Sequence, residues 1–152
     1  MKTTIFGAGA VGGHLAARLA AAGAEVSAVC RGAQLAAIRE NGITLQIADE
    51  SYHARLHVTD RPETLGKQDI VIVTVKSSVL PELAASIATL CGPDTAVVFA
   101  MNGIPWWYLY RSAPTATPAP DLSRLDPAGV LARTIGAKRV VGCMINSANT
   151  VV

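Results

Sequence analysis

The sequence predicts an α/β fold in which a mostly parallel sheet carries helices on both faces. Three observations predict it. Short β-prone runs alternate with helical patterns along the chain, which is the order of βαβ units. Two of the runs, from Asp69 to Lys76 and from Asp94 to Met101, are continuously apolar, which indicates strands buried on both faces. The first run, from Thr3 to Phe6, leads directly into a glycine-rich turn and a helix. We expect one doubly wound domain over residues 1–152.

The glycine-rich turn carries the clearest functional signal. Gly7, Gly9 and Gly12 have the spacing of a dinucleotide-binding fingerprint, and the strand before them and the helix after them make the match specific. Gly7 permits the turn, Gly9 lets the backbone approach a pyrophosphate, and Gly12 lets the helix pack close to the strand. The free N–H groups at the start of the helix would face the anion. This predicts a Rossmann-type domain, and the expected cofactor loop consists of Gly7, Ala8, Gly9, Ala10, Val11 and Gly12.

The end of the second predicted strand indicates which dinucleotide is bound. An Asp or Glu commonly occupies this position and bonds the ribose 2′-hydroxyl of NAD. Here the run from Glu25 to Cys30 is followed by Arg31, and Glu25 lies at the other end of the strand. A guanidinium can bind a 2′-phosphate through paired hydrogen bonds and can stack on adenine. We therefore expect NADP(H) rather than NAD. The alternative is an exposed Arg31 without a ligand.

Two further polar residues follow buried strands. Lys76 ends the run that starts at Asp69, and Asn102 follows Met101 at the end of the next run. Ligands of open parallel sheets bind outside the carboxyl ends of the strands. Lys76 could meet an anionic or carbonyl-bearing ligand, or simply mark the exit of its strand into water. Asn102 could bind a carboxamide or a substrate hydroxyl, or belong to an ordinary Asn-Gly turn.

The first half of the chain contains three more predicted elements. The helix after the glycine loop should end at Gly23, and a second helix should run from Gln34 to Glu40 and stop at Asn41-Gly42. Between Ile43 and Val58, apolar residues alternate on both sides of a polar turn. That pattern predicts a β-hairpin, which we expect as an addition at the sheet edge.

The second half repeats the strand–helix order. Ser78 is expected to cap a helix that stops at Gly92. Asp126-Pro127 has the pattern of an N-cap and first helical residue, and Gly136 should close that short helix. A last strand is predicted from Arg139 to Ile145.

An aromatic cluster and a proline-rich loop separate the last two strands. Residues 104–110 hold four of the seven aromatic side chains, and residues 111–125 form the predicted loop. The aromatic cluster could be core, or it could cover a pocket or a domain interface. Apolar residues make up 51% of the chain and charged residues only 16%, which suggests a face buried against another domain or subunit.

Composition also narrows the function classes. A net charge of +2 without a basic run gives no support for nucleic-acid binding, and no apolar stretch is long enough for a membrane helix. An odd number of separated cysteines suits reduced thiols in the cytoplasm, and the histidines lack companions at metal-ligand spacing. We therefore predict a cytoplasmic protein without a metal site. The residues concerned are Cys30, Cys91, Cys143, His14, His53 and His57.

Five segments together resemble the ketopantoate reductases (2-dehydropantoate 2-reductases). They are Gly7–Gly13, Arg31-Gly32, Val75-Lys76, Met101–Gly103 and Val141–Cys143. The resemblance runs along essentially the whole chain, and it implies NADPH-dependent reduction of 2-dehydropantoate to pantoate on the way to pantothenate and coenzyme A.

The resemblance also implies roles for single residues. The glycine loop would hold the pyrophosphate, and Arg31 would hold the adenosine 2′-phosphate. Lys76 would line the nicotinamide side of the cleft. Asn102 would lie beside nicotinamide and substrate, in a supporting catalytic role. The main proton donor would be a lysine outside this sequence.

The sequence departs from the family pattern in length. Family members carry a helical C-terminal domain that supplies the catalytic lysine, an acidic residue and most substrate contacts, and this sequence has no counterpart to it. We expect residues 1–152 to act with that domain or with a second chain, and a homodimer is one arrangement that would supply it. Alone, they should bind NADPH weakly and be inactive. Two alternatives stay open: a reductase of another 2-keto acid, and a non-catalytic NAD(P)-sensing module such as those of potassium transport systems.

Overall fold

A computed structural model describes residues 1–110 and 121–151. Most of the predicted proline-rich loop lies outside these residues; its described end, 121–125, is irregular and turn-like. The strands and α-helices follow one another as β1 (Lys2–Phe6), α1 (Ala10–Ala21), β2 (Glu25–Val29), α2 (Gly32–Asn41), β3 (Ile43–Ile47), β4 (Glu50–Ala54), β5 (His57–Thr59), β6 (Gln68–Val73), α3 (Leu80–Thr89), β7 (Cys91–Ala100), α4 (Val130–Thr134) and β8 (Val140–Cys143).

Within the described residues, six strands form a parallel sheet in the order β5-β2-β1-β6-β7-β8. The strand order reverses between β1 and β6, which are hydrogen-bonded neighbours. In a sheet of this kind the crevice for a ligand opens at the carboxyl ends of the strands beside that reversal. The predicted doubly wound Rossmann-type fold is confirmed.

Two apolar cores cover the two faces of the sheet. One contains Val71, Val97 and Phe99 of the central strands together with Ile87 of α3 and Leu131 of α4. The other joins residues of β1 and β2 to the small side chains of α1 and the apolar side of α2. Phe99, Ile87 and Leu131 are completely buried. In β6 and β7 one face is fully buried, whereas Ile70, Ile72 and Val98 on the other face are half-buried, so the two-sided burial predicted from the sequence is met only in part.

The predicted hairpin is present, but its place and extent were predicted wrongly. β3 and β4 pair antiparallel as a separate two-stranded sheet, and they lie against α1 instead of extending the edge of the main sheet. The Arg18 guanidinium of α1 lies 4.8 Å from the ring centre of Tyr52 in β4. Val58, which was assigned to the hairpin, belongs to β5 and pairs with Ala28 at the edge of the main sheet. Alternation alone could not separate two consecutive strands that join different sheets.

Of the predicted helix boundaries, the end of α1 is confirmed and both boundaries of α3 are wrong. Gly23, with φ of +80°, follows α1 and donates its N–H to the Ala20 carbonyl, as expected of a C′ glycine. Ser78 does not cap α3, because a 3₁₀ turn over Ser77–Val79 comes first. Gly92 does not stop α3 either, since it already lies in β7.

Asp126 accepts main-chain hydrogen bonds from a helix, but that helix starts further along the chain than the predicted start at Pro127. A 3₁₀ turn over Pro127–Gly129 intervenes, and the Asp126 carboxylate accepts N–H bonds from Leu131 at 2.7 Å and Ala132 at 3.0 Å in α4. These are the donors that the first turn of a helix leaves free. The Asp126 side chain thus caps the first turn of α4 across the 3₁₀ turn, although the N-cap residue itself is Gly129.

The aromatic cluster contributes to the core of the α3/α4 face. Trp106 is buried and packs edge-to-face against both Phe99 and Trp107, with ring centres 5.8 Å and 5.4 Å apart. Tyr108, two residues further, is exposed. The cluster therefore has a core end and a solvent end. Trp106 fits the core alternative drawn from the sequence, and Tyr108 leaves the alternative of a surface that covers a pocket or a domain interface open.

Candidate functional site: the carboxyl edge of the sheet

Four adjacent strands bring the sequence-predicted residues to one edge. The sheet order places β2, β1, β6 and β7 side by side and parallel, so their carboxyl ends lie together. Arg31 follows β2, the glycine loop follows β1, Lys76 comes shortly after β6, and Asn102 comes shortly after β7. Neighbouring strands are spaced by about 4.8 Å, so the row from Arg31 to Asn102 spans roughly 14 Å. An elongated ligand could contact all four positions.

The glycines of the loop meet different local demands. Gly7 has φ of +104°, which side-chain-bearing residues rarely adopt. A Cβ at Gly12 would lie 2.0 Å from the Gly7 carbonyl oxygen, whereas a Cβ at Gly9 would meet nothing within 4 Å. Gly12 is therefore required by the packing of α1 on the loop. Gly9 has open space in front of it, into which a ligand could come close to the backbone.

The start of α1 is suited to an anion. Gly9 is the N-cap, and no side chain among the described residues caps the helix, so the N–H groups of its first turn have no side-chain acceptor there. The aligned peptide dipoles give this end a partial positive charge. The exposed Gly9 and the uncapped helix end fit the pyrophosphate of a dinucleotide.

Two polar side chains that support the loop were missed by the sequence analysis. Thr74, just after β6, donates its hydroxyl to the Gly7 carbonyl, and Gln34 of α2 donates its amide to the Ala8 carbonyl. Each bond pairs a main-chain acceptor of the loop with a donor from a neighbouring element. Carbonyl oxygens carry partial negative charge, so engaging them favours an anion at the loop. Only the polar character of these residues near the edge could have drawn attention to them.

Arg31 and Lys76 are exposed, and among residues 1–110 and 121–151 their side chains form no hydrogen bond or ion pair. Arg31 is also the N-cap residue of α2, in extended backbone conformation. Two unpaired cations thus flank the glycine loop, one on either side in strand order. Both are free to bind anionic groups.

Asn102 differs from these cations because its amide is already engaged. Its Nδ2 donates to the Ile145 carbonyl at 2.8 Å, and its Oδ1 accepts from the Ile145 N–H at 2.9 Å. The next residue, Gly103, has φ of +107°, so the Asn-Gly pair also forms the turn that the plainer alternative described. Ile145 is 43 residues away in sequence, and nothing in the local pattern pointed to it.

An open groove of about 970 Å³ lies beside the β7 end of this edge. It is bordered by the turn before α3, the segment after β7 and the end of β8. Apolar side chains dominate its wall, and Asn102 is among its polar lining residues. The lining includes Met101, Asn102, Ile104, Trp106, Trp107 and Met144. The glycine loop lies outside the groove, on the open edge itself.

The thiols of the two less exposed cysteines are poorly ionised. Burial raises the pKa of Cys30, next to Arg31; the Arg39 charge opposes that shift and the Asp60 charge adds to it. Burial likewise raises the pKa of Cys91. Cys143, at the end of β8, is exposed.

Among the residues that the structure describes, no cluster of three His, Cys, Asp or Glu side chains could hold a metal ion, and no helix is long and apolar enough to span a membrane.

Comparison with known proteins agrees with the resemblance found in the sequence. The family described as "Ketopantoate reductase PanE/ApbA" matches residues 3–106. A 2-dehydropantoate 2-reductase of Mesorhizobium japonicum is 42% identical over 146 residues, which are 95% of this chain and 44% of the relative.

Solved structures give the same picture. A protein from Ralstonia solanacearum MolK2, described as a ketopantoate reductase, superposes with a TM-score of 0.90 at 42% identity, over 99% of this chain and 46% of the other. A ternary structure of D-mandelate dehydrogenase with NADH and anilino(oxo)acetate gives 0.62 at 29% identity, over 68% of this chain and 34% of the other.

The chain therefore spans less than half the length of these relatives. The family match nevertheless covers well over half of the chain, and the relative from Mesorhizobium matches nearly all of it. The chain belongs to the ketopantoate reductase (PanE/ApbA) family.

Proposed function

We propose that this chain is the NADP(H)-binding half of an oxidoreductase that reduces 2-dehydropantoate to pantoate. The observation that carries the proposal is the pairing of an open, uncapped glycine loop with an unpaired Arg31 one strand away. The name of the Mesorhizobium relative supplies the reaction.

The residues of the edge fit the parts of NADPH in strand order. The glycine loop would hold the pyrophosphate through the N–H groups of α1. Arg31, beyond β2, would bind the 2′-phosphate, because a guanidinium offers paired donors to phosphate oxygens. Lys76 and Asn102, on the other side of the loop, would then lie towards the nicotinamide and the substrate. NADPH would supply the hydride for the ketone carbon.

The contribution of this chain to the reaction is mainly positional. Thr74 and Gln34 hold the loop carbonyls, so the loop keeps its shape before the cofactor arrives. Lys76 would add positive charge near an anionic substrate. We infer that the proton donor for the developing alkoxide comes from a helical domain across the edge, supplied by the same polypeptide or by a second chain. Exposed apolar residues near that edge, Ile104, Tyr108 and Met144, support such a contact.

Calorimetric titration of the chain with NADPH and NADH tests the cofactor assignment. We expect tighter binding of NADPH. Arg31→Asp should weaken NADPH binding much more than NADH binding, because it replaces a cationic hydrogen-bond donor to the 2′-phosphate with a repelling carboxylate. Arg55→Asp is the matched control, since Arg55 is also exposed but precedes β5 and so lies near the amino ends of the strands. Equal losses for both cofactors in Arg31→Asp would show that Arg31 does not read the 2′-phosphate.

A second candidate is the reduction of a different 2-keto acid. The similarity to a D-mandelate dehydrogenase crystallised with NADH and anilino(oxo)acetate favours it, since that protein shares the fold and is named for another acid. Competition of pantoate and mandelate for an enzyme reconstituted with the substrate domain distinguishes the two. A preference for NADH in the titration would favour this candidate. Cofactor binding without turnover of any 2-keto acid by the reconstituted enzyme would favour the sensing module.

A further inference from the structure

The Asn102 side chain continues the pairing of β7 and β8 beyond the ends of both strands. The last paired residues are Ala100 and Cys143, and Met101 then donates its N–H to the Cys143 carbonyl at 3.1 Å. The next step of the ladder uses a side chain. The Asn102 amide both donates to and accepts from the backbone of Ile145, at 2.8 Å and 2.9 Å.

A side-chain amide can replace a peptide group here because it carries the same donor and acceptor. The backbone itself cannot continue the ladder, since the chain turns away at Gly103 with positive φ. Two simultaneous bonds fix the plane of the amide as well as its position. They also bind the segment after β8 to the carboxyl edge of the sheet.

We propose that Asn102 is a positioning residue that clamps the segment around Ile145 beside the cofactor edge. The Ile145 backbone uses one N–H and one acceptor position of the amide, which leaves one of each for a ligand. The consequence for catalysis rests on the proposed function: the clamp orients the remaining N–H of Asn102 and fixes the path of the chain beside the groove where the second domain would approach.

The clamp predicts a local change in amide exchange at Ile145. In Asn102→Ala the Ile145 N–H loses its acceptor, so its hydrogen exchange should accelerate about fivefold or more, the factor for the roughly 1 kcal/mol of one hydrogen bond. Asn102→Asp keeps an acceptor for this N–H but places a second oxygen against the Ile145 carbonyl, so its exchange rate should lie between those of wild type and Asn102→Ala. Asn146→Ala is the matched control, because it removes an exposed asparagine that directly follows Ile145 in the sequence.

The measurement is residue-resolved exchange by NMR on residues 1–152, with and without NADPH. The amide of Val98, in the middle of β7, should exchange as in wild type, which separates loss of the clamp from general destabilisation. The same variants are titrated with NADPH. We expect NADPH affinity to follow the exchange protection of Ile145, so Asn102→Asp should keep more affinity than Asn102→Ala only if it also keeps more protection at Ile145.

Unchanged exchange at Ile145 in Asn102→Ala would overturn the clamp, whatever the effect on NADPH affinity. Equal acceleration at Ile145 and Val98 would overturn it as well, because the substitution would then act on the whole domain. If wild type fails to bind NADPH, the proposed function fails, but the exchange comparison without cofactor still decides whether the clamp exists. The two proposals can therefore fail separately.

Discussion

Substitution of Gly12 by alanine tests whether the glycine loop is held by close packing of α1. The added Cβ would lie 2.0 Å from the Gly7 carbonyl oxygen and 2.6 Å from the Thr74 hydroxyl, whereas ordinary contacts begin at 3.4 Å. Relief therefore requires a movement of more than an ångström. The nearest atom belongs to the backbone, and that backbone carbonyl also accepts the Thr74 hydrogen bond. The loop cannot yield without losing this bond.

The expected loss of stability follows from these contacts. Overpacking of a tight site costs about 1–3 kcal/mol, and the backbone position of the clash points to the upper end. Replacing a helical glycine by alanine returns roughly 0.5–1 kcal/mol through lower chain entropy. We therefore expect a net decrease of about 2 kcal/mol in the free energy of unfolding, or a fall of roughly 4–8 °C in Tm for a chain of this size.

Gly13→Ala is the matched control in the same helix. Its Cβ would approach the Ala8 carbonyl oxygen to only 3.5 Å, an ordinary contact. This variant should be unchanged or slightly more stable than wild type. Urea unfolding followed by circular dichroism measures both variants, with an unchanged m-value showing that the transition is comparable. If Gly12→Ala is as stable as Gly13→Ala, the close approach of α1 to the loop is not what requires glycine at position 12.

Three other substitutions or reactions test the site and its support. Gly9→Ala should leave stability within about 0.5 kcal/mol of wild type, because its Cβ meets open space, yet weaken NADPH binding; retained affinity in calorimetry would contradict the proposed approach of the pyrophosphate. Asp126→Ala should lower the free energy of unfolding by about 1 kcal/mol through loss of the α4 cap, with Asp126→Asn closer to wild type; equal urea midpoints for all three proteins would contradict this. In native protein near neutral pH, iodoacetamide should label the exposed Cys143 first, because burial raises the thiol pKa of Cys30 and Cys91 and keeps them protonated. Mass spectrometry of early time points measures the labelling, and equal early labelling of all three cysteines would contradict this expectation.

Local sequence signals were sufficient wherever the structure depends on local constraints. The glycine turn, the buried parallel strands and the C′ glycine at the end of α1 were all predicted, because backbone freedom, burial period and helix termination are properties of short segments. Parallel strands also carry their following residues to a common edge. That rule alone allowed the sequence to place Arg31, Lys76 and Asn102 in one row with the glycine loop.

Errors arose where a segment chooses between partners that are distant in sequence. Val58 has the same alternating neighbours whether it extends the hairpin or pairs with Ala28, and only the exposed edge of β2 decides. Ser78 has the residue type of a helix cap, but the 3₁₀ turn that contains it starts one residue earlier. For Val58, two local solutions were nearly equivalent, and strand pairing selected one of them.

The hydrogen bonds that support the site also join segments distant in sequence, and this affects how the site residues should be tested. Thr74 and Gln34 hold the loop from two different strand–helix connections, and Asn102 is held in turn by the backbone of Ile145. Each bond joins residues at least 26 positions apart, so no motif records it. Within residues 1–110 and 121–151, by contrast, a Cβ at Gly9 would touch nothing and the Arg31 side chain has no partner that a substitution would disturb. A loss of cofactor affinity therefore reports on direct contact at Gly9 and Arg31, whereas at Asn102 it has the same meaning only after exchange at Ile145 has been measured.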